Sequence, residues 1–300
     1  MTKTDERFVE ANGIHLAYDT FGHPAAPPIL LVMGLGMQMI AWDELFCEHL
    51  AMQGFWVIRF DNRDIGRSSK LNTAGTPGTL QMVKSGLFHL PLSAPYLLKD
   101  MAADTVGLMD ALDIRAAHLV GASMGGMIAQ EMAIHYSGRL LTMTSIMSTT
   151  GDTRLPNASL KMRLRLLKRS PVEKHAYEKH IINLFKLLNG PYYPFNEARY
   201  RQLAADIFNR DIHPKGIARQ LAAVIASGSR KEKLSAVGTP SLVIHGDADP
   251  LIPTAHGRAT ADAIPNATLH IIRGMGHTMP EGAWPEIIDA VARHVSNSNH

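Results

Sequence analysis

The sequence predicts an α/β domain built on a mostly parallel sheet flanked by helices. Three observations carry that expectation. Short, continuously apolar runs have the length of buried strands, and amphipathic stretches at helical spacing lie between them. A Gly-x-Ser-x-Gly, residues 121–125, stands at one strand-to-helix junction.

Residues 8–11, an Asn12-Gly13 pair and residues 14–21 predict a β-hairpin, because Asn-Gly supplies the positive φ of a tight turn. After a proline-rich break at 24–28, residues 29–33 (ILLVM) read as a central strand buried on both faces. A helix over 42–52 and a strand over 56–60 follow. A helix over 99–112 places Leu98, Met101, Ala102, Thr105, Leu108, Met109 and Leu112 on one inner face. Residues 116–120 predict the strand before the serine motif, and 127–136 the helix after it. The alternation resumes with strands at 140–147, 241–245 and 268–272, and helices at 254–264 and 285–295.

Two stretches interrupt it. Residues 68–96 are too long for an ordinary connection, and the apolar Gly86-Leu-Phe-His-Leu-Pro-Leu92 within them suggests a lid. Leu87 and Phe88 are its candidate substrate contacts, with Gly34 across the site. Residues 152–235 are helical in pattern, broken at Pro171, Gly190-Pro191, Pro194 and Pro214. Insertions at the C-terminal ends of strands overhang the ligand crevice of such a sheet. The expected organisation is therefore a core of residues 1–151 and 236–300 and a helical cap of residues 152–235.

The net charge of +3 is unevenly spread: residues 154–233 hold 17 Lys+Arg against 6 Asp+Glu. Lys161, Arg163, Arg165, Lys168 and Arg169 alternate with Met162, Leu164, Leu166 and Leu167, the pattern of a solvated amphipathic helix. Steering of a carboxylate-bearing substrate and attraction to an anionic lipid surface are the functional alternatives. No nucleic-acid recognition motif accompanies the charge, so no nucleic-acid partner is expected. With 46% hydrophobic and 19% charged residues, one cysteine (Cys47), and no apolar run of about 18 residues, a soluble cytoplasmic protein without stable membrane insertion is expected. The oligomeric state is open.

A serine hydroxyl needs a base, and the base needs an orienting group. His277 follows the last strand inside Gly274-Met-Gly276-His277, where flexible backbone lets the ring reach the serine. Asp249, after the penultimate strand and before Pro250, is the acid candidate, with Asp247 second. The oxyanion that Ser123 would generate calls for two backbone amides. Met124, next after Ser123, and Leu35, in the glycine-flanked loop after residue 33, are the choices. His245-x-Asp247-x-Asp249 has no companion cluster, so no metal is expected. Gly34-x-Gly36 lacks the third glycine and the acidic residue of a dinucleotide site, so no cofactor is expected.

Together these residues resemble the α/β-hydrolase superfamily over nearly the whole chain, through Gly121-Ala-Ser123-Met-Gly125-Gly126, Gly246-Asp-Ala-Asp249-Pro250 and Gly274-Met-Gly276-His277. Asp61-Asn-Arg63-Asp-Ile-Gly66-Arg-Ser68 is similar to the family's Asp-x-Arg-Gly-x-Gly-x-Ser loop, with Asp64 where glycine is common. Met33-Gly34 stands where the family commonly has His-Gly. Leu31-Val-Met33-Gly34, Arg59 to Asp64 and the histidine loop resemble the aclacinomycin methylesterase branch of carboxylic-ester hydrolases. The resemblance implies an α/β-hydrolase fold with a mostly parallel eight-stranded sheet and an inserted helical cap. It also implies a Ser123–His277–Asp249 triad with Leu35 and Met124 as the oxyanion hole, acting on a small-molecule ester. Carbon–carbon bond hydrolysis, amide hydrolysis and perhydrolysis use the same triad and stay open, as does a ligand-binding relative without turnover.

Overall fold

The computed structural model describes residues 3–88, 90–159, 162, 165 and 171–298. They build one eight-stranded sheet with the order β1-β2-β4-β3-β5-β6-β7-β8. β1 (Arg7–Ala11) and β2 (Ile14–Phe21) form the hairpin, turning at Asn12 (φ 51°) and Gly13 (φ 75°). β2 pairs antiparallel with β4 (Trp56–Phe60). β3 (Pro28–Val32), β4, β5 (Ala117–Ala122), β6 (Leu140–Ile146), β7 (Ser241–Gly246) and β8 (Thr268–Ile272) run parallel.

β3 lies between β4 and β5, so the chain winds to opposite sides of it. That reversal opens a crevice at the C-terminal ends of β3 and β5. Its floor is set by register, which places Val32 beside Gly121.

β3 shows why the sheet needs two covers. Ile29 and Leu31 face one core, with Phe46, Leu50, Trp284 and Ile287, while Leu30 and Val32 face the other, with Leu98, Met101, Ile128 and Met132. All four strand residues are fully buried, each contributing about 1.5–3 kcal/mol relative to exposure. The covering helices are α1 (Glu44–Met52), α3 (Leu98–Ala111), α4 (Met124–His135), α9 (Ala255–Ala263) and α10 (Trp284–Asn297), with α2 (Thr79–Phe88) inside the first insertion.

One boundary differs from expectation. α1 starts two residues later than expected, because Asp43 caps it by accepting from the Leu45 amide at 2.9 Å. Trp42 instead follows a single 3₁₀ turn, Met39–Ala41, and is fully buried. α4 begins at the serine, as the motif implies, three residues ahead of the 127–136 run. The first insertion, a lid candidate, contains α2. Glycine at 78 and proline at 91 bracket that helix.

The second insertion is helical, with α5 (Lys174–Leu188), α6 (Glu197–Arg210), α7 (Pro214–Ser227) and α8 (Lys231–Leu234). It has its own small core of Tyr177, Ile181, Ala204 and Ile207, packed against Met37 and Ile40. Of the basic stripe, Arg165 is exposed, and Lys161, Arg163, Lys168 and Arg169 lie outside the described residues. The helical region is entered at Gly151 (φ 80°), and Gly228 (φ 61°) ends α7. The two touch so closely that a Cβ on Gly151 would lie 2.5 Å from the Gly228 carbonyl oxygen. No helix among the described residues is long and apolar enough to cross a membrane.

Candidate active site

Ser123 sits between β5 and α4 at φ 54°, ψ −117°, a left-handed conformation that costs a side-chain-bearing residue energy. The surroundings enforce it. The Ser123 amide donates to the Ile146 carbonyl at 2.9 Å, and the Ser148 hydroxyl donates to the Ser123 carbonyl at 2.7 Å. The turn closes only on glycine. A Cβ at Gly121 would lie 2.1 Å from the Gly125 oxygen, and one at Gly125 would lie 2.0 Å from the Val32 oxygen. Met124 is the first residue of α4, so its N–H has no intrahelical acceptor and belongs to the positive end of the helix.

His277 reaches the serine from the far side of the sheet. Gly274 (φ 68°) turns the chain after β8 and donates its amide to the Asp247 carboxylate at 2.5 Å. The loop then docks on the end of α5, where the His277 amide donates to the Leu188 carbonyl at 2.7 Å. The ring places Nε2 3.0 Å from Ser123 Oγ and Nδ1 2.7 Å from Asp249 Oδ2. A carboxylate only accepts, so Nδ1 carries the proton. Nε2 is then left as acceptor for the Ser123 hydroxyl.

Asp249 Oδ1 accepts from the Leu251 and Ile252 amides, each at 2.8 Å. Burial alone would raise its pKa. His277, His245 and the Ile252 amide outweigh that penalty and hold the carboxyl below the usual carboxylate range. Asp247, the second acid candidate, braces the turn before His277 instead of facing the ring.

The loop after β3 comes up beside the serine. A Cβ on Gly34 would lie 3.1 Å from Ser123 Cβ, so glycine lets this loop pack directly on the motif. Leu35 follows, half-buried. The Leu87 and Phe88 side chains lie outside what the structure describes. No group of three or more potential metal ligands occurs among the described residues.

The Asp61–Ser68 loop supports the crevice through contacts that sequence alone could not assign. Asp61 accepts from the Met39 amide at 2.7 Å and the Arg67 amide at 2.9 Å, and Asn62 Nδ2 donates to the Met33 carbonyl at 2.9 Å. Asp64 keeps a glycine-like φ of 71°. His245 was legible only as part of a rejected metal motif. It is fully buried behind the acid, with Nε2 2.8 Å from the Ile252 carbonyl and 3.5 Å from Asp249 Oδ2. A groove of about 720 Å³ lies between the first strands and α6, with none of Ser123, His277 and Asp249 in its lining. The arginines lining it are paired, Arg59 with Asp19, Arg67 with Glu6, Arg199 with Asp43 and Arg210 with Asp61.

The family described as alpha/beta hydrolase fold matches residues 27–281. Rhodomycin D methylesterases from Streptomyces sp. (strain C5) and Streptomyces peucetius are each 30% identical to the chain, covering 96% of it and 97% of their own lengths. A solved hydrolase from Pseudomonas aeruginosa PA01 superposes with a TM-score of 0.72 at 22% identity, covering 97% of this chain and 98% of that one. A hydrolase-type elbow at the switch point of an eight-stranded sheet and a family match over most of the sequence agree: the chain belongs to the α/β-hydrolase fold family.

Proposed function

We propose that the protein is a serine hydrolase of carboxylic esters working through an acyl-enzyme. The observation that carries this reading is the hydrogen-bonded chain Ser123–His277–Asp249, with its 3.0 Å and 2.7 Å contacts. The full-length similarity to two methylesterases supports ester cleavage over carbon–carbon or amide cleavage. Methyl esters of small molecules are the first substrate class to test.

In this reading His277 Nε2 takes the Ser123 proton as the alkoxide attacks the ester carbonyl. The carbonyl oxygen becomes an oxyanion held by the Leu35 and Met124 amides. Imidazolium, stabilised by ionised Asp249, returns the proton to the leaving alcohol. Water then enters, is deprotonated by His277, and releases the acid and free Ser123. Asp249 stays ionised throughout, consistent with its lowered pKa.

Residues 152–235 would form the cap over this site. Its lining of the substrate space together with Gly34, Leu87 and Phe88 belongs to the same proposal. The contact of Gly151 with Gly228 brings the start of the insertion beside the end of α7.

A fluorophosphonate probe followed by peptide mass mapping tests the nucleophile. One adduct on Ser123, lost on denaturation before labelling, is expected. Stoichiometric labelling elsewhere, with Ser123 unmodified, would contradict the reading.

A further inference from the structure

The turn that carries Leu35 is gripped from far along the chain. Met37 N–H donates to the Gly34 carbonyl at 3.3 Å, so Leu35 and Gly36 occupy the centre of a four-residue turn, with Gly36 at φ 71°. The Leu35 N–H belongs to the Gly34–Leu35 peptide, so its direction follows from the peptides on either side. Here both are held. Asn62 Nδ2 holds the Met33 carbonyl at 2.9 Å. On the other side, Gln220 Oε1 accepts from the Gly36 amide at 2.9 Å, and its Nε2 donates to the Arg63 carbonyl at 2.9 Å.

Gln220 is on α7 and is fully buried. A buried carboxamide is costly unless both ends are paired, and both ends of this one are spent on the loops around the site. Ile217, less than one turn earlier on α7, packs on the same spot: a Cβ on Gly36 would lie 3.2 Å from Ile217 Cγ2.

We propose that Gln220 is a positioning residue for the oxyanion turn, so that seating of α7 on the core sets the aim of the Leu35 amide. The inference rests on Leu35 being an oxyanion donor, as argued above. An amide stabilises the oxyanion only from about 2.7–3.1 Å, so a Leu35–Gly36 peptide released from Gln220 lets the adjoining Leu35 N–H drift out of that range in the transition state. The ester ground state scarcely uses it. Loss of Gln220 should therefore lower kcat and leave KM nearly unchanged.

The test uses the full chain and p-nitrophenyl acetate, with a boronic acid as tetrahedral-intermediate mimic. Gln220→Met conserves volume without hydrogen bonding, and Gln220→Asn stays polar but is one methylene too short. Ile217→Ala keeps both Gln220 hydrogen bonds and removes only packing. For Met and Asn we expect kcat to fall about 10- to 100-fold with KM within threefold, and the boronate Ki to rise by a similar factor. Ile217→Ala should keep kcat within about threefold of the parent. If Met proves unfolded by circular dichroism, the Asn variant answers the same question.

Folded Met or Asn variants with parental kcat would overturn the inference. So would Ile217→Ala as slow as Met, since packing would then be the cause. Ser123-dependent turnover in the parent with normal Gln220 variants sinks this inference alone. A parent without Ser123-dependent turnover sinks the underlying esterase reading.

Discussion

The Asp64 carboxylate and the Arg219 guanidinium form an ion pair that reaches no solvent, with Oδ1 2.5 Å from Nη2 and Oδ2 2.8 Å from Nε. Asp64 also accepts from the Leu71 amide and the Tyr96 hydroxyl, each at 2.8 Å. Burial opposes its ionisation, but Arg219 and the other donors prevail and hold the carboxyl below its ordinary value. The pair joins the loop after β4 to α7. It explains how aspartate occupies a glycine-like backbone position: the carboxylate is needed there, and aspartate tolerates the left-handed region better than most residues.

Removing one partner should strand a buried charge. We expect Arg219→Met and Asp64→Gly each to cost about 3–5 kcal/mol in urea denaturation, and the double variant to cost less than the sum. Single losses below about 1 kcal/mol would mean that water reaches the pair.

Asp249 and Asp247 lie two residues apart and should separate cleanly. Asp249→Asn removes the acceptor that fixes the His277 tautomer, so kcat should fall about 10⁴-fold. Asp247→Ala removes only the brace on the Gly274 amide, so thermal stability should drop while kcat stays within about tenfold. Steady-state kinetics beside thermal melts distinguishes the two.

The glycine requirement at the elbow is steric. Gly125→Ala would place its Cβ 2.0 Å from the Val32 oxygen, forcing β3 and α4 apart, and should destabilise by about 3 kcal/mol or more. Gly138→Ala meets nothing within 4 Å and should be neutral or slightly stabilising. Paired denaturation curves test the contrast.

His118 predicts a pH dependence. It is buried on β5, with Nδ1 3.0 Å from Thr142 Oγ1, and burial, reinforced by His294, pushes its pKa down to about 4. The unfolded chain, with a value near ~6.5, binds this proton more readily. The stability it contributes is therefore complete above about pH 6.5 and is lost as pH falls toward 4, at up to about 1.4 kcal/mol per unit. His118→Asn should flatten that part of the curve without abolishing it, because His213, His256 and His294 are lowered as well. An unchanged slope would exclude His118 as a contributor.

The legible features were those written in consecutive residues. Asn12-Gly13 encodes its turn, ILLV its buried strand, and the glycines around Ser123 their close packing. Asp249 and His277 could be picked out because short glycine- or proline-marked loops follow recognisable strands. Gln220, Arg219, Asn62 and Ser148 carried no such mark. Their roles arise from contacts across the fold, up to 184 residues apart for Gln220 and Gly36, which no local pattern encodes. The start of α4 is marked by the serine motif and not by the apolar run, which begins only at 127. Glycines at 125 and 126 are poor helix formers, yet packing against Val32 and Ser148 overrides that propensity.

The proposed nucleophile is tested most directly by kcat of Ser123→Ala against the parent on one ester, with folding verified for both. We expect a fall of about 10⁴-fold or more, of the size seen when an acyl-transfer nucleophile is removed. Retention of more than about one per cent of parental turnover would contradict Ser123 as the attacking group.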